Sequence, residues 1–391
     1  MKFIKNKHDN TKFVDGVFQI SGKAKEDKDP MTLDCSIGSL KDEKGKLVTY
    51  KTVFDSEKEI KTAVKAGYCS NLQGDPKYLE AIDRFVLEGK VSTYHQVLAT
   101  AGGTGGVSLP MLLCPDEGSE ILIPEICWGN YKTMIQENNL KPVSYDIYDL
   151  NSLFNRIDSN KDKRLFLIIN SPCENPCGHS YSYNEWEKII EKLNSLKKEV
   201  VLVNDVAYLD YAGEGSKEYF KLFNNLRNNV MVMIAYSVSK SFSYYGYRLG
   251  ALIMIHNDKE LVDSMINLFI KKGRSVYSSV NAGAMANISN VLNKHYPEYV
   301  LEKEKYKKML KARANEIIKH LDSLGIEYYK YTEGFFVTLK ILNDSTKERV
   351  HEELMKRHIY TIKVNKGIRI GLCGIAKKNI KRLCENIKEV M

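Results

Sequence analysis

Apolar residues in this chain recur with two periods. Short runs rich in β-branched residues, Glu120–Pro124, Arg164–Ile169, Glu199–Asn204, Val230–Ile234 and Leu249–Ile255, are strand-sized and carry no polar alternation, the pattern of strands buried on both faces. Elsewhere the spacing is helical. Leu79, Ile82, Phe85 and Val86 form a stripe behind the turn and helix start at Gly74-Asp75-Pro76, and Leu301 to Leu324 predicts a long helix. A further strand is predicted from Gly334 to Leu339, and roughly the last fifty residues alternate helix with strand as a small α+β domain would. Asp42-Glu43-Lys44-Gly45 is a turn signal. The first thirty residues are polar and lysine-rich, and read as an arm that orders against something else. The pattern is α/β, with ligands expected in loops at the carboxyl ends of the strands.

Composition changes this picture little. The 391 residues are 43% hydrophobic and 27% charged, enough for one large core and a second smaller one. The start of the chain has no apolar segment, which argues against a signal peptide, and no apolar run is long enough to span a bilayer. Eight cysteines without a C-x-x-C pair suit reduced, structural thiols and a cytoplasmic location. Cys173 and Cys177 lie near one another with no histidine cluster beside them, so no metal site is expected. The formal charge of +9 invites a nucleic-acid partner. Its basic runs, Lys303 to Arg313 and Lys377 to Arg382, are interleaved with apolar residues, however, and read as solvated helix faces. Neither a nucleic-acid nor a membrane partner is expected.

The candidate chemistry is concentrated between Ala235 and Ile255, where Lys240 follows a strand, flanked by Ser237 and Ser239, with Arg248 eight residues on. A lone lysine is usually a solvated surface charge. Two serines and a guanidinium at a strand end, however, make a compact anion site. A lysine desolvated beside that cation holds its proton poorly, which frees an amine to attack a carbonyl. The set suits a Schiff-base lysine holding a phosphorylated aldehyde. Glycines 102, 103, 105 and 106 open a helix, where bare backbone N–H groups can approach an anion. Their spacing matches neither the P-loop nor the dinucleotide fingerprint. Trp128, near a strand end, is either core or a stacking platform for a flat ring. Asp205 is either an exposed loop residue or a carboxylate paired with a pyridinium nitrogen. Arg369 sits on an otherwise apolar strand and needs a partner there.

Ser237-Val238-Ser239-Lys240 followed by Arg248-Leu249-Gly250 resembles the S-x-S-K and R-x-G pattern of fold-type I pyridoxal-phosphate (PLP) enzymes. The remaining motifs resemble the class I, subgroup-alpha aminotransferases of aspartate and aromatic amino acids, in that family's order and over nearly the whole chain. The resemblance implies a large domain with a mostly parallel sheet at 49–290 and a small α+β domain at 291–391. Residues 1–48 would be an N-terminal arm and part of the small domain. PLP is the implied cofactor, joined to Lys240. Its phosphate would be held by Gly103 and Thr104 of the T-x-G-G-T-G loop, with Ser237 and Arg248. Trp128 would stack on the ring, Asp205 and Tyr208 of the D-x-A-Y motif would meet its nitrogen and phenolic oxygen, and Asn175 would bond the same oxygen. Cys177 stands where the family's N-P-[ST]-G loop has a hydroxyl residue. Tyr68 would reach the phosphate of the neighbouring subunit in a homodimer, although one extra residue separates it from Gly74. Gly38 would lay its backbone against the substrate, in a segment whose first glycine and Tyr-Arg pair are replaced. Arg369 would hold the α-carboxylate. Arg274, ahead of Tyr277-Ser278, would cross the interface to grip the distal carboxylate of a dicarboxylic substrate.

Residues and resemblance together imply a PLP-dependent aminotransferase working by two ping-pong half-reactions, with aspartate and glutamate favoured. An aromatic amino acid aminotransferase is the nearest rival, because that branch shares the same arginine. A PLP-dependent β-lyase or decarboxylase fits the two arginines less well. A PLP-sensing regulator would need a DNA-binding module, for which the residues ahead of Leu33 are too few.

Overall fold

In the computed structural model, which describes residues 15–391, a seven-stranded sheet forms the centre of the molecule. Its order is His95–Ala101, Leu249–Ile255, Val230–Ser237, Glu199–Asp205, Arg164–Asn170, Glu120–Pro124 and Lys141–Tyr145. Neighbours pair in parallel, except that Leu249–Ile255 runs antiparallel to both strands beside it. Burial on both faces explains the unbroken apolar runs. Leu165, Leu167, Ile169, Val232 and Ile234 enter one core, packed with the helices Pro76–Leu87 and Tyr183–Asn194. The alternate residues Phe166, Ile168, Met231 and Met233 enter a second core with the helices Gly102–Leu113 and Lys259–Tyr277.

The register of this sheet places the site. Asn170 lies opposite Asp205 and Asp205 opposite Ala235, while Gly250 faces Ser237 on one side and Thr100 on the other. Chain segments far apart in sequence therefore meet at one edge. Gly250 is required by that packing: a Cβ there would lie 2.6 Å from both the Gly102 backbone and the Tyr236 carbonyl oxygen.

A smaller α+β layer follows. Ile362–Val364, Gly367–Gly371 and Phe336–Lys340 form an antiparallel sheet, and Leu33–Asp34 pairs in parallel with Ile359–Tyr360. The predicted long helix spans Tyr296–Ser323. One residue of its basic run departs from the expectation of a solvated face. Arg313 is fully buried, bonding Glu43 at 2.8 Å, the Lys41 carbonyl at 2.9 Å and the Cys373 carbonyl at 3.2 Å. It ties the start of the chain to its end, and its charge is matched by acceptors from both.

The polar arm is also corrected, for the residues described. Gly16–Glu26 is a helix that packs on its own chain, with Ile20 and Ala24 against Tyr360 and Ile362. Two small apolar contacts and a cap suffice, since the Asp15 carboxylate accepts from Val17 and Phe18 N–H at 2.9 and 3.1 Å. The part of the expected arm before Asp15 lies outside the described residues. Among those described, no helix is long and apolar enough to cross a membrane, and no group of His, Cys, Asp and Glu is placed to hold a metal. Replacing Asp15 with Ala should cost that helix about 1 kcal/mol, or roughly fivefold faster amide exchange, in 16–22 alone. Exchange measured by mass spectrometry checks this, and an unchanged rate there would contradict the cap.

Candidate active site

Lys240 leaves the Val230–Ser237 strand on a single helical turn, Val238–Ser241, rather than in a loop, and that strand is interior to the sheet. Its Nζ donates to the Gly38 carbonyl at 3.1 Å and lies 4.6 Å from the ring centre of Tyr245 and 5.9 Å from that of Tyr208. Burial brings the amine down to about 8, and the guanidinium groups of Arg248 and Arg369 push in the same direction. Gly38 comes this close because it lacks a side chain: a Cβ would lie 2.9 Å from the Phe336 ring.

Beside the lysine is a cradle of donors. Gly102 has φ +71° and begins the Gly102–Leu113 helix, so unbonded N–H groups of its first turn open at this edge. A Cβ on Gly102 would strike the Arg248 guanidinium at 2.6 Å, and one on Gly103 would strike Ser237 at 2.8 Å. The two glycines thus let backbone, hydroxyl and guanidinium converge. Arg248, itself at φ +53°, is braced by Ser239 Oγ at 3.2 Å and the Tyr245 carbonyl at 2.9 Å. Thr104, half-buried, is on the same first turn. A phosphate-sized anion fits these groups, because each is a donor or a cation.

On the far side of the strand ends, Asp205 is buried, with Oδ1 accepting from Ala207 N–H at 3.0 Å and Oδ2 from the Tyr131 hydroxyl at 2.5 Å. Burial raises its pKa to about 6 against those two hydrogen bonds. Trp128 is half-buried and meets Tyr131 edge to face, with ring centres 5.4 Å apart. Asn175 joins the cluster through its neighbours: its N–H donates to Asn170 Oδ1 at 2.8 Å and its Nδ2 to the Tyr208 hydroxyl at 3.5 Å. Burial raises the pKa of that phenol, opposed by the nearby Arg369 cation.

Arg369, from the Gly367–Gly371 strand, completes the group. It donates to Asn175 Oδ1 at 3.1 Å and to the Ser36 carbonyl, and its guanidinium lies 4.4 Å from the centre of the Phe336 ring. Its Nε is buried without a hydrogen-bond partner. Arg369 is therefore held in place with donor capacity to spare. A carboxylate would satisfy it.

Hydrogen bonds and close packing thus gather Lys240, Gly38, Tyr208, Asn175 and Arg369, with Gly103, Ser237 and Arg248 beside them and Asp205 and Trp128 joined through Tyr131. Tyr68 and Arg274 are placed differently. Tyr68 is 89% exposed, and Arg274 is exposed with its Nη1 on Ser278 Oγ at 2.6 Å. Three residues of the cluster carried no sequence signal. Tyr131 and Tyr245 read as ordinary aromatics, although Tyr245 lies inside the Lys240–Arg248 segment, where an aromatic near a buried amine could have been suspected. Glu174 is a buried carboxyl raised by burial to about 8 and anchored on Cys177 N–H at 2.7 Å, directly before Asn175.

Comparison with known proteins identifies the family. The family model described as aminotransferase class I and II matches residues 30–387. The cytoplasmic aspartate aminotransferase of Dictyostelium discoideum is 25% identical over 97% of this chain and 88% of its own length. The aspartate aminotransferase of Pseudomonas aeruginosa is 23% identical over 93% of this chain and 94% of its own. Among solved structures, an aminotransferase from Anaerococcus prevotii superposes with a TM-score of 0.93 at 26% identity, covering 100% of this chain and 99% of that one. An aromatic-amino-acid aminotransferase from Burkholderia pseudomallei, covalently bound to pyridoxal phosphate, shares the fold at TM-score 0.81 and 21% identity, covering 97% and 98% of the two chains. With its model matched across nearly the whole chain, the family is shown: this chain belongs to the class I and II aminotransferases.

Proposed function

We propose that this protein is a pyridoxal-phosphate-dependent aminotransferase that moves an amino group between an L-amino acid, aspartate or glutamate by preference, and a 2-oxo acid. The observation that carries this reading is the unpartnered, buried Arg369 Nε in the same cleft as an amine lowered to about 8. One binds a carboxylate and the other can act as nucleophile and base near neutral pH.

The residues suit the cofactor chemically. Gly103 and Thr104 amides, Ser237 and Arg248 would hold its phosphate, Trp128 would cover its ring, Asp205 would face the ring nitrogen, and Tyr208 with Asn175 would bond the phenolic oxygen. When bound, the cofactor supplies the aldehyde and the electron-withdrawing ring that make a Cα proton removable. Arg369 would grip the α-carboxylate by two N–H groups and so fix the Cα–H bond relative to Lys240. Gly38 lays bare backbone along the same cleft and leaves room for the amino acid. The Lys240 amine would take the proton from Cα and return it. Asp205 would offer its carboxylate to the ring nitrogen and so favour the electron-withdrawing form of the ring.

Tyr68 and Arg274 enter through a second copy of the chain. Both are exposed, with no bond to the cluster of their own subunit, as expected of side chains that complete a partner's site in a homodimer. Arg274 would then meet the distal carboxylate of a dicarboxylic substrate. The relative from Dictyostelium is described as cytoplasmic, and we infer the same location here.

Replacing Lys240 with Ala should lower turnover by about 100-fold or more and remove the absorbance band owed to the cofactor's covalent link with that lysine; retention of both would remove the mechanism. Arg274→Ala should raise KM for aspartate and glutamate while phenylalanine is unaffected in steady-state assays. An equal loss for both would refute the dicarboxylate preference and favour an aromatic enzyme. In cofactor-free protein, acetylation of Lys240 should be half-maximal near pH 8, because the free amine forms as pH rises through its lowered pKa. A midpoint near that of ordinary surface lysines, about 10.4, would contradict its burial.

A further inference from the structure

We propose that Tyr131 is a positioning residue of the transamination site, whose hydroxyl holds the Asp205 carboxylate as a weak base while its ring fixes Trp128. Tyr131 is the second residue of the helix Asn130–Glu137, and its N–H donates to the Trp128 carbonyl at 3.0 Å. Its side chain is fully buried. The hydroxyl reaches Asp205 Oδ2 at 2.5 Å, and the ring stands 81° to the Trp128 indole. One side chain therefore touches both the carboxylate below the ring site and the indole that would cover it.

The direction of the effect follows from the groups around Asp205. Its Oδ1 has a backbone donor, Ala207 N–H at 3.0 Å, and its Oδ2 has Tyr131. Tyr208, on the next turn, also feels its charge, and burial keeps that phenol protonated; Cys127 and the buried Glu174 act on Tyr131 from its other neighbours. The Tyr131 phenol is likewise raised far above its ordinary range by burial, so it donates at every working pH. Burial alone would make Asp205 proton-hungry. The phenol opposes that by stabilising the ionised carboxylate. Without it, a proton shared between Asp205 and a ring nitrogen moves toward the carboxylate, and the ring withdraws electrons less well.

This rests on the reading that Asp205 faces the cofactor's ring nitrogen, so the experiment tests both. Holoenzyme is loaded with pyridoxal phosphate carrying 15N in the ring, and the ring-nitrogen resonance is followed with pH in wild type, Tyr131→Phe and Asp205→Ala. The wild-type resonance should report a protonated nitrogen. Asp205→Ala should report an unprotonated one, and Tyr131→Phe should move part of the way. In parallel, kcat of Tyr131→Phe should fall about 10-fold with KM nearly unchanged, within the range of a charge-assisted hydrogen bond. A wild-type resonance in Tyr131→Phe, whatever its kcat, overturns the role of Tyr131. A wild-type resonance in Asp205→Ala sinks the underlying reading instead. Should Tyr131→Phe fold poorly, 3-fluorotyrosine at the same position strengthens the donor and should move the resonance the opposite way; no movement overturns the proposal.

Discussion

The backbone ladder across Thr100, Gly250 and Ser237, and across Asn170, Asp205 and Ala235, is the constraint on which everything else depends. Register in a doubly buried sheet is firmly set, because a slip of one residue would exchange the two apolar faces. Residues at the strand ends are thereby delivered to the same edge without loops having to find one another. Gly250 permits the close crossing, and the helix beginning at Gly102 then aims its free N–H groups at the spot where Ser237 and Arg248 already stand.

Charge completes what the ladder begins. Desolvation loosens the hold of the Lys240 amine on its proton, and the nearby Arg248 and Arg369 cations add to that. Such an arrangement stores unfavourable electrostatics that an anion relieves, so substrate and cofactor are drawn to the groups that need them. On the opposite wall, Asp205 is a buried acid answered by two donors. The cleft is thus polarised, with the cations Lys240, Arg248 and Arg369 on one side and the Asp205 carboxylate on the other.

Much of this was legible from the chain. Strand ends such as Asp205 and Asn170 could be read because apolar runs stop abruptly at polar residues, and the S-x-S-K segment because its neighbours supply a physical reason for a reactive amine. The helix Gly16–Glu26 was not, since only Ile20 and Ala24 mark its buried side in a stretch otherwise polar. Nor was the burial of Arg313, whose neighbours on the helix are solvated lysines and whose acceptors come from the two ends of the chain. Tyr131 and Asp205 are 74 residues apart, and no local spacing announces a bond between them. Contacts made across the fold by residues of ordinary type leave no trace in sequence pattern.

The central claim concerns one amine. Purified protein incubated with pyridoxal phosphate, reduced with borohydride and digested should yield a single modified peptide, bearing the phosphopyridoxyl group on Lys240. Modification scattered over the surface lysines, or none at all, would contradict the account.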